Sequence, residues 1–353
     1  MRLVVRLLSS ALLASAPALA AAPDHGQSQA CAEPVRWHKQ GMGTRLQVVI
    51  CPKNTTVVAH SEAMAAAEAV GAEFVRLEGL WSTWLPGSDL SRLNAAAGGP
   101  PVAVAAETAA LLARAVQGSR QTQGLFDVTF APLGALWQFD TPPGSHQPTQ
   151  LQRVPTAAEI SAKLALVGYE GLVVDTTANT AQLTRVGMAV HAGGIGKGAA
   201  VDRAVAVLRA KGFSQFAIQA GGDLYLAGRK GDRPWRVGIA HPRRPDQPLG
   251  SVEITDAAFS TSGDYERFAL IDGTRYHHIL DTRSGWPARA SQSATVRAQS
   301  ATDAEVLTKA AFVLGGAAGI ALAEHLGAQA VIVDQDGRVW QSKALIVQSN
   351  GAP

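Results

Sequence analysis

The feature that most constrains the fold is the strand-rich stretch between residues 235 and 300. It holds four runs with the alternation typical of β-strands, separated by Gly, Pro and Asp turns: WRVGIA, SVEITDAAFST, FALIDGTRYHHIL and SATVRAQ. Helical patterns lie before and after this stretch and do not alternate regularly with the strands. The chain therefore predicts a mixed α/β fold of the α+β type and not a doubly wound sheet.

Several helices are predicted outside this stretch. Residues 61–84 carry an apolar stripe of period 3.6, formed by Ala65, Ala69, Phe74, Leu77 and Leu80. Further helices are expected over 108–121, 304–313 and 316–326, and the closing runs AVIVD and ALIVQ are expected as strands. With 47% hydrophobic residues, the chain can build one large domain or two modest ones.

The predicted organisation is a leader over residues 1–20 and a single domain over residues 21–353. The domain is expected to have two lobes with a boundary at roughly 138–157, where a Pro-, Gly- and Gln-rich surface loop begins. No internal repeat of fixed period is present.

The leader has the pattern of a signal peptide. Arg2 and Arg6 precede a short apolar stretch, and Ala18 and Ala20 suit a signal peptidase. A transmembrane anchor is the rival interpretation, but the uninterrupted apolar run is well short of the roughly 18 to 20 residues that a span needs. We expect a periplasmic or secreted protein, associated with the inner membrane if the leader stays uncleaved.

Charge and cysteine content exclude several classes of function. The formal charge is +3, and loss of the two leader arginines would leave about +1, which does not suit a strongly basic nucleic-acid binder. Two cysteines cannot make a four-cysteine zinc site, a typical iron–sulfur ligand set or a disulfide scaffold.

The two cysteines can still pair with each other. Cys31 and Cys51 lie symmetrically about Gly41, so a hairpin that turns near Gly41 and Met42 would bring them face to face. This predicts a Cys31–Cys51 disulfide. A turn offset by one residue would instead leave two unrelated buried thiols.

A glycine-rich segment before a predicted helix indicates an anion site. Gly193, Gly194, Gly196 and Gly198 open a helix, and Lys197 adds positive charge where backbone amides converge. The spacing matches neither a Walker P-loop nor GxGxxG. A tight structural turn remains the alternative.

Polar residues are also dense in three later segments. These are the turn of QAGGDLYLAG, the segment STSGDYERF and the segment RYHHILDTRSG. Since successive strand residues face opposite ways, at most one ring of the pair His277 and His278 can serve a given site, and the pair itself is not expected to bind a metal. A hydrogen-bonded structural ring is the alternative for either histidine.

The order of motifs is more specific than any single motif, and it resembles the ApbE-like FAD:protein FMN transferases. The resemblance covers nearly all of the chain after the leader. Eight ordered segments carry it: GMGT at 41–44, WSTWLPGSDLSRLN at 81–94, GLFDVTFAPLGALW at 124–137, GGIGKGAAVD at 193–202, AGGD at 220–223, TSGDYER at 261–267, HHILDTRSG at 277–285 and AEVLTKAAFVLG at 304–315.

The resemblance implies a T-fold-like ApbE architecture and an exported enzyme. Such an enzyme binds FAD with Mg²⁺ on its pyrophosphate, moves FMN to a Thr or Ser hydroxyl of a partner redox protein and releases AMP. The acceptor would carry a Ser/Thr-Gly-Ala-Thr-like site, which this chain itself lacks, so self-flavinylation is not expected. No nucleic-acid partner is expected.

The resemblance also implies site residues. His278 would be the base or orienting group for the acceptor hydroxyl, and Asp281 would hold its position. The FAD contacts would fall on Met42, Trp84, Leu125, Phe126, Asp127, His191, Lys197, Gly221, Gly222, Asp223, Ser262, Gly263, Tyr265, His278 and Ile279.

The implied metal ligands are Gly194, Glu305 and Thr308, and here the sequence departs from the family pattern. The family has Asp and Thr where this chain has Glu305 and Lys309, and Asp where it has His191. A protonated lysine cannot ligate a metal, so Lys309 puts the Mg²⁺ requirement in question and suggests that its ammonium partly neutralises the pyrophosphate. A slipped register with Asp303 in the site and Leu307 facing inward is an alternative.

Three other functions remain open at this level. An FAD pyrophosphatase would use water as the nucleophile and give FMN and AMP. A catalytically altered FAD-binding protein would keep FAD intact. A solute-binding protein for another ligand would require the motif order to be accidental.

Overall fold

The computed structural model describes residues 5–7, 31, 33–137, 151, 153–244, 247–345 and 347–348. The predicted cleavage site after Ala20 and most of the predicted lobe boundary at 138–157 lie outside these residues. Helices and strands are mixed without regular alternation, which confirms the predicted α+β fold.

Sixteen strands and eight α-helices are found in the described residues. The strands are β1 Val5–Leu7, β2 Val35–Gly41, β3 Thr44–Ile50, β4 Val102–Ala103, β5 Leu172–Asp175, β6 Thr180–Leu183, β7 Phe216–Ala220, β8 Asp223–Ala227, β9 Trp235–Ala240, β10 Pro248–Ile254, β11 Ala257–Gly263, β12 Phe268–Ile271, β13 Thr274–His277, β14 Ser291–Ala298, β15 Gln329–Asp334 and β16 Val339–Gln341. The helices are α1 Val57–Trp81, α2 Asp89–Ala95, α3 Ala106–Gln121, α4 Ala131–Trp137, α5 Ala157–Leu164, α6 Gly196–Ala210, α7 Ala301–Leu314 and α8 Gly316–His325.

The central element is an eight-stranded antiparallel sheet in the order β16-β15-β14-β11-β8-β7-β3-β2. Its two faces are both covered, which explains the nearly continuous apolar runs of β7 and β8. Leu46 and Val48 of β3 pack in the core that contains residues of α1 and α6. Val49, the next residue of the same strand, packs on the opposite face of the sheet with residues of β9 and β10. The sheet therefore separates a helical layer from a smaller sheet.

Three smaller sheets flank the central one. They are β1-β9-β10, β12-β13 and β4-β6-β5. Strand β1 lies within the predicted leader and pairs with β9, so cleavage after Ala20 would remove it and leave β9 as an edge strand. Within the described ranges, no helix is both long and apolar enough to cross a bilayer.

The long helix α1 shows a buried face that differs in part from the predicted one. Phe74 and Leu77 are buried as expected, but Ala65 is exposed and Ala63 and Val70 pack into the core instead. Leu80 also packs against this core, so only the placement of Ala65 in the stripe was wrong, since the small side chains of an alanine-rich helix do not distinguish one face from another. The strand predicted at ALIVQ was also wrong: β16 closes the sheet, and Gln348 makes an isolated bridge to Ser251.

The predicted disulfide between Cys31 and Cys51 is present, with the two Cα atoms 4.8 Å apart. The predicted turn position was wrong. Gly41 pairs with Thr44, so Met42 and Gly43 form the turn, and both have positive φ (49° and 66°), as a two-residue hairpin of type I′ requires. Cys31 therefore reaches Cys51 from the segment before β2 and not from a directly opposed strand position.

We expect loss of this disulfide to destabilise the fold. The bond closes a loop with a sequence separation of 20, and the double substitution Cys31→Ala with Cys51→Ala should lower the free energy of unfolding by about 3 kcal/mol. Urea denaturation of the variant and of wild type, each with and without reductant, measures the effect. Equal midpoints for oxidised wild type and the variant would contradict the expectation.

Candidate active site

The glycine-rich segment forms the start of α6, where it meets α7 at very short range. A Cβ on Gly198 would lie 2.4 Å from the Ala301 carbonyl oxygen, so only glycine allows this approach. The first turn of α6 has no side-chain cap of its own. Instead, the Gly198 N–H donates to Oε2 of Glu305 from α7 at 2.8 Å.

The start of α7 is capped in return from α6. Asp202 accepts hydrogen bonds from the backbone N–H groups of Ala301 (2.8 Å) and Thr302 (2.9 Å) and from the Thr302 hydroxyl (2.5 Å). Each helix thus satisfies the free N–H groups of the other, which fixes their relative position. Asp202 ends the segment GGIGKGAAVD, but its capping role was not predicted because its partners lie about a hundred residues away.

Replacing Asp202 should loosen this arrangement. We expect Asp202→Ala to lower the free energy of unfolding by about 1 to 2 kcal/mol, since a capping carboxylate is lost at a helix start. Chemical denaturation measures the change, with the exposed Asp232→Ala as the matched control. A variant as stable as the control would contradict the capping role.

A cluster of four charged side chains lies at the junction of α6 and α7. The Lys197 ammonium is 3.0 Å from Oδ2 of Asp223 and is in direct contact with Oε1 of Glu305. Lys309 donates to the Ser262 hydroxyl at 2.8 Å. These contacts join α6, α7, β8 and β11 at one end of the central sheet.

Burial and mutual charge set the protonation of this cluster. Burial disfavours the ammonium of Lys197, but Asp223 and Glu305 outweigh it and hold its pKa above the ordinary value. Burial and the nearby Asp223 charge raise the pKa of Glu305 against the opposing effect of the two lysines. Burial lowers the pKa of Lys309, and the Glu305 charge opposes that shift.

Glycine residues form the walls around the cluster. A Cβ on Gly194 would be 3.1 Å from the Phe126 ring and 3.8 Å from Cγ of Lys309. A Cβ on Gly222 would lie 2.8 Å from the Thr261 carbonyl oxygen, so the β7–β8 turn lies directly against β11. The structure therefore brings together the predicted residues Lys197, Asp223 and Ser262 with these glycine turns.

The β2–β3 turn reaches the same end of the sheet. Gly221 has a φ of +61°, and a Cβ there would be 2.8 Å from Oγ1 of Thr44. Met42 stands in the adjacent turn and is partly buried. The pairing of β3 with β7 thus brings the β2–β3 turn beside the turn of Gly221 and Gly222.

The two histidines differ in burial, but only His277 lies in a strand, as the last residue of β13. His277 is buried, its Nε2 lies 2.7 Å from the Ala288 carbonyl oxygen, and burial lowers its pKa to about 4. His278 is partly exposed, and its Nδ1 lies 3.3 Å from the Arg267 carbonyl oxygen. Burial, with the charges of Arg267, His277 and Lys309, holds the pKa of His278 well below its ordinary value.

Several predicted site residues have structural contacts of their own. Asp281 pairs with Arg283 through both carboxylate oxygens, at 2.9 and 2.7 Å. Asp127 caps a 3₁₀ turn at Thr129 and accepts a third hydrogen bond from the Tyr169 N–H at 2.8 Å. Burial raises the pKa of Asp127 against these bonds.

The remaining predicted site residues range from buried to largely exposed. Tyr265 packs in the core beneath β9 and β10, and Ile279 and Leu125 share the core with α7. Trp84 is 71% exposed, three residues beyond the end of α1. His191 accepts a hydrogen bond from the Gly193 N–H at 2.9 Å.

Two polar groups were missed by the sequence reasoning. Ser260 donates to Oδ1 of Asp223 at 2.5 Å, so it orients the carboxylate that contacts Lys197. Arg243 binds both oxygens of Asp264 at 2.6 Å and thereby holds the segment that precedes β12. The polar density of STSGDYERF was the available signal, but it did not identify partners.

The implied Mg²⁺ site does not fit the donors that are present. Both carboxylate oxygens of Glu305 already accept from Lys197 and Gly198, and the Thr308 hydroxyl donates to the Ala294 carbonyl at 2.9 Å. No group of three or more His, Cys, Asp or Glu side chains arranged to hold a metal is found in the part of the chain that the structure describes. The slipped register is also not observed, because Asp303 pairs with Arg114.

Comparisons with known proteins give a consistent result. Residues 42–332 match the ApbE family. A protein of Treponema pallidum named FAD:protein FMN transferase is 32% identical over 319 residues, 86% of each chain. One of the same name from Vibrio cholerae is 33% identical over 246 residues, 69% of this chain and 71% of that protein.

Solved structures give the same picture. The ApbE protein of Thermotoga maritima has a TM-score of 0.78 at 30% identity and covers 88% of this chain and 97% of its own. The apo form of the Pseudomonas stutzeri flavinyl transferase ApbE has a TM-score of 0.76 at 31% identity, covering 91% and 97%.

Proposed function

The chain belongs to the ApbE family, and we propose that it is an exported FAD:protein FMN transferase. In the proposed reaction, FMN passes from FAD to a Ser or Thr hydroxyl of a partner redox protein, and AMP is released. The observation that carries the proposal is the 32% identity to the T. pallidum transferase over 86% of both chains.

The start of α6 supports an FAD pyrophosphate site. The positive end of the helix dipole and the Lys197 ammonium lie together, and the lysine side chain remains 26% exposed. Gly194 and Gly198 leave the backbone without side chains at this point. A pyrophosphate could therefore approach backbone N–H groups and an ammonium at the same time.

His278 is the proposed proton acceptor. A carbonyl oxygen only accepts, so the contact with Arg267 requires the proton on Nδ1 and leaves Nε2 as the acceptor. In the transfer, the acceptor hydroxyl oxygen forms a bond to the FMN phosphorus while the bond from that phosphorus to the AMP oxygen breaks. The hydroxyl proton passes to Nε2, and AMP leaves with the bonding electrons.

No metal step is part of the proposal, because the donors present do not fit Mg²⁺. Asp281 is assigned to the turn that follows His278, where its pairing with Arg283 keeps residues 281–285 in place. It would then position the histidine through the backbone and not by direct contact.

Export is supported by the leader pattern and by the Cys31–Cys51 disulfide, since disulfides persist in oxidising compartments. The acceptor is proposed to be exported as well, so that both proteins meet beyond the inner membrane.

Nucleotide chromatography tests the proposed function. Purified protein is incubated with FAD, with and without an exported acceptor domain that carries a Ser/Thr-Gly-Ala-Thr site. Acceptor-dependent AMP release without free FMN is the expected result. Equal amounts of free FMN and AMP without acceptor would indicate a pyrophosphatase instead, and intact bound FAD would indicate a binding protein.

A further inference from the structure

Lys309 crosses the space between the glycine-rich turn and β11. Its Cγ lies 3.8 Å from the point where a Cβ on Gly194 would stand, and its ammonium donates to the Ser262 hydroxyl at 2.8 Å. The resemblance places a metal ligand of the family at the Gly194 carbonyl. The lysine side chain therefore lies against the glycine-rich turn that carries this carbonyl.

The carboxylates beside it have no oxygen left without a donor. Asp223 accepts from Ser260 at Oδ1 and contacts Lys197 at Oδ2. Glu305 contacts Lys197 at Oε1 and accepts from Gly198 at Oε2. Mg²⁺ demands near-octahedral oxygen ligands and usually takes one or two carboxylates, so here it would have to share carboxylate oxygens that already serve Lys197, Gly198 and Ser260 and would lie beside the Lys197 ammonium.

The lysine itself has donors to spare. An ammonium has three N–H donors, and Ser262 takes one of them. Within the described residues, no carboxylate lies within 4 Å of the Lys309 ammonium, whereas Lys197 contacts two. The two remaining donors of Lys309 can therefore serve an anion.

We propose that Lys309, together with Lys197, takes the place of a divalent cation at the FAD pyrophosphate, so that this protein binds FAD without metal. The inference rests on the proposed function for its ligand. Asp223 and Glu305 contact Lys197 but not Lys309 among the described residues, so the Lys309 ammonium is the cation of this cluster that is left to face the pyrophosphate.

FAD titration followed by flavin fluorescence tests the inference directly. In wild type, the Kd for FAD in EDTA should equal that in Mg²⁺ within about twofold, a difference of less than half a kcal/mol. Lys309→Met should weaken FAD binding by about 10- to 100-fold in EDTA, since a charge-assisted hydrogen bond is lost. Lys309→Gln, which keeps a polar side chain without the charge, should also weaken FAD binding in EDTA.

The exposed Lys163→Met is the matched control and should bind FAD as wild type does. Wild-type binding that weakens tenfold or more in EDTA would overturn the inference, and so would Lys309→Met and Lys309→Gln binding as tightly as wild type in EDTA. No FAD binding in either condition would contradict the proposed function itself. FAD binding without FMN transfer would contradict the transferase proposal and leave this inference standing.

Discussion

Replacing Lys197 by methionine is expected to abolish FAD binding and to destabilise the protein. The ammonium contacts Asp223 and the fully buried Glu305, and removing it leaves two carboxylates without their shared counter-ion. Removing one partner of a buried ion pair lowers the free energy of unfolding by about 3 to 5 kcal/mol. The raised pKa of Lys197 keeps the side chain charged, so this loss applies across the neutral pH range.

Urea denaturation and FAD titration measure the two effects separately. Lys211→Met, at the exposed end of the same helix, is the matched control because it removes a lysine without a buried partner. The double variant Lys197→Met with Glu305→Gln should recover part of the stability but not FAD binding. A single variant as stable as the Lys211 control would contradict the role of the ion pair.

The second large effect is expected at His278. His278→Ala should reduce the turnover number by about 100-fold or more and change the Kd for FAD little, because its proposed role is to accept the hydroxyl proton while FAD keeps its other implied contacts. AMP release under saturating FAD and acceptor measures turnover, and fluorescence titration measures binding.

The exposed His38→Ala is the matched control for loss of an imidazole. His277→Ala should behave differently from His278→Ala: it removes a buried ring bonded to Ala288 and should lower stability. Unchanged turnover in His278→Ala would remove the histidine from the reaction.

The pH profile follows from the depressed pKa of His278. Its folded pKa lies well below the ordinary value, so Nε2 is available above that pKa and becomes protonated as the pH falls through it. Turnover limited by this group should therefore be flat near neutral pH and fall only at acid pH.

Local sequence signals predicted the elements but not the contacts between them. The glycine-rich start of α6 follows from the short-range rules of turns, whereas His278 lies just beyond β13, where strand alternation does not apply. The contact of Lys197 with Glu305 joins residues 108 positions apart, and no periodic pattern encodes such a distance. Only the ordered motifs of the ApbE resemblance linked the two segments in advance.

The errors have physical causes as well. Ala65 was assigned to the buried stripe of α1 because alanine is common on both faces of this helix and does not mark the buried one. The hairpin turn lies one residue later than predicted because Met42 adopts a positive φ, which usually favours glycine or asparagine. The order of the motifs also did not predict that the Asp127 carboxylate caps a 3₁₀ turn, or that the Thr308 hydroxyl donates to the Ala294 carbonyl of β14. Asp127 is held by its near neighbour Thr129 and by the distant Tyr169, and Thr308 depends on Ala294 in β14.

Flavin transfer is tested most directly by the intact mass of an acceptor domain after incubation with this protein and FAD. Transfer predicts a gain equal to FMN less one water, located on the Ser or Thr of the acceptor site and absent when that residue is replaced by valine or alanine. An acceptor of unchanged mass, while FAD is consumed or remains bound, would contradict flavin transfer as the function of this chain.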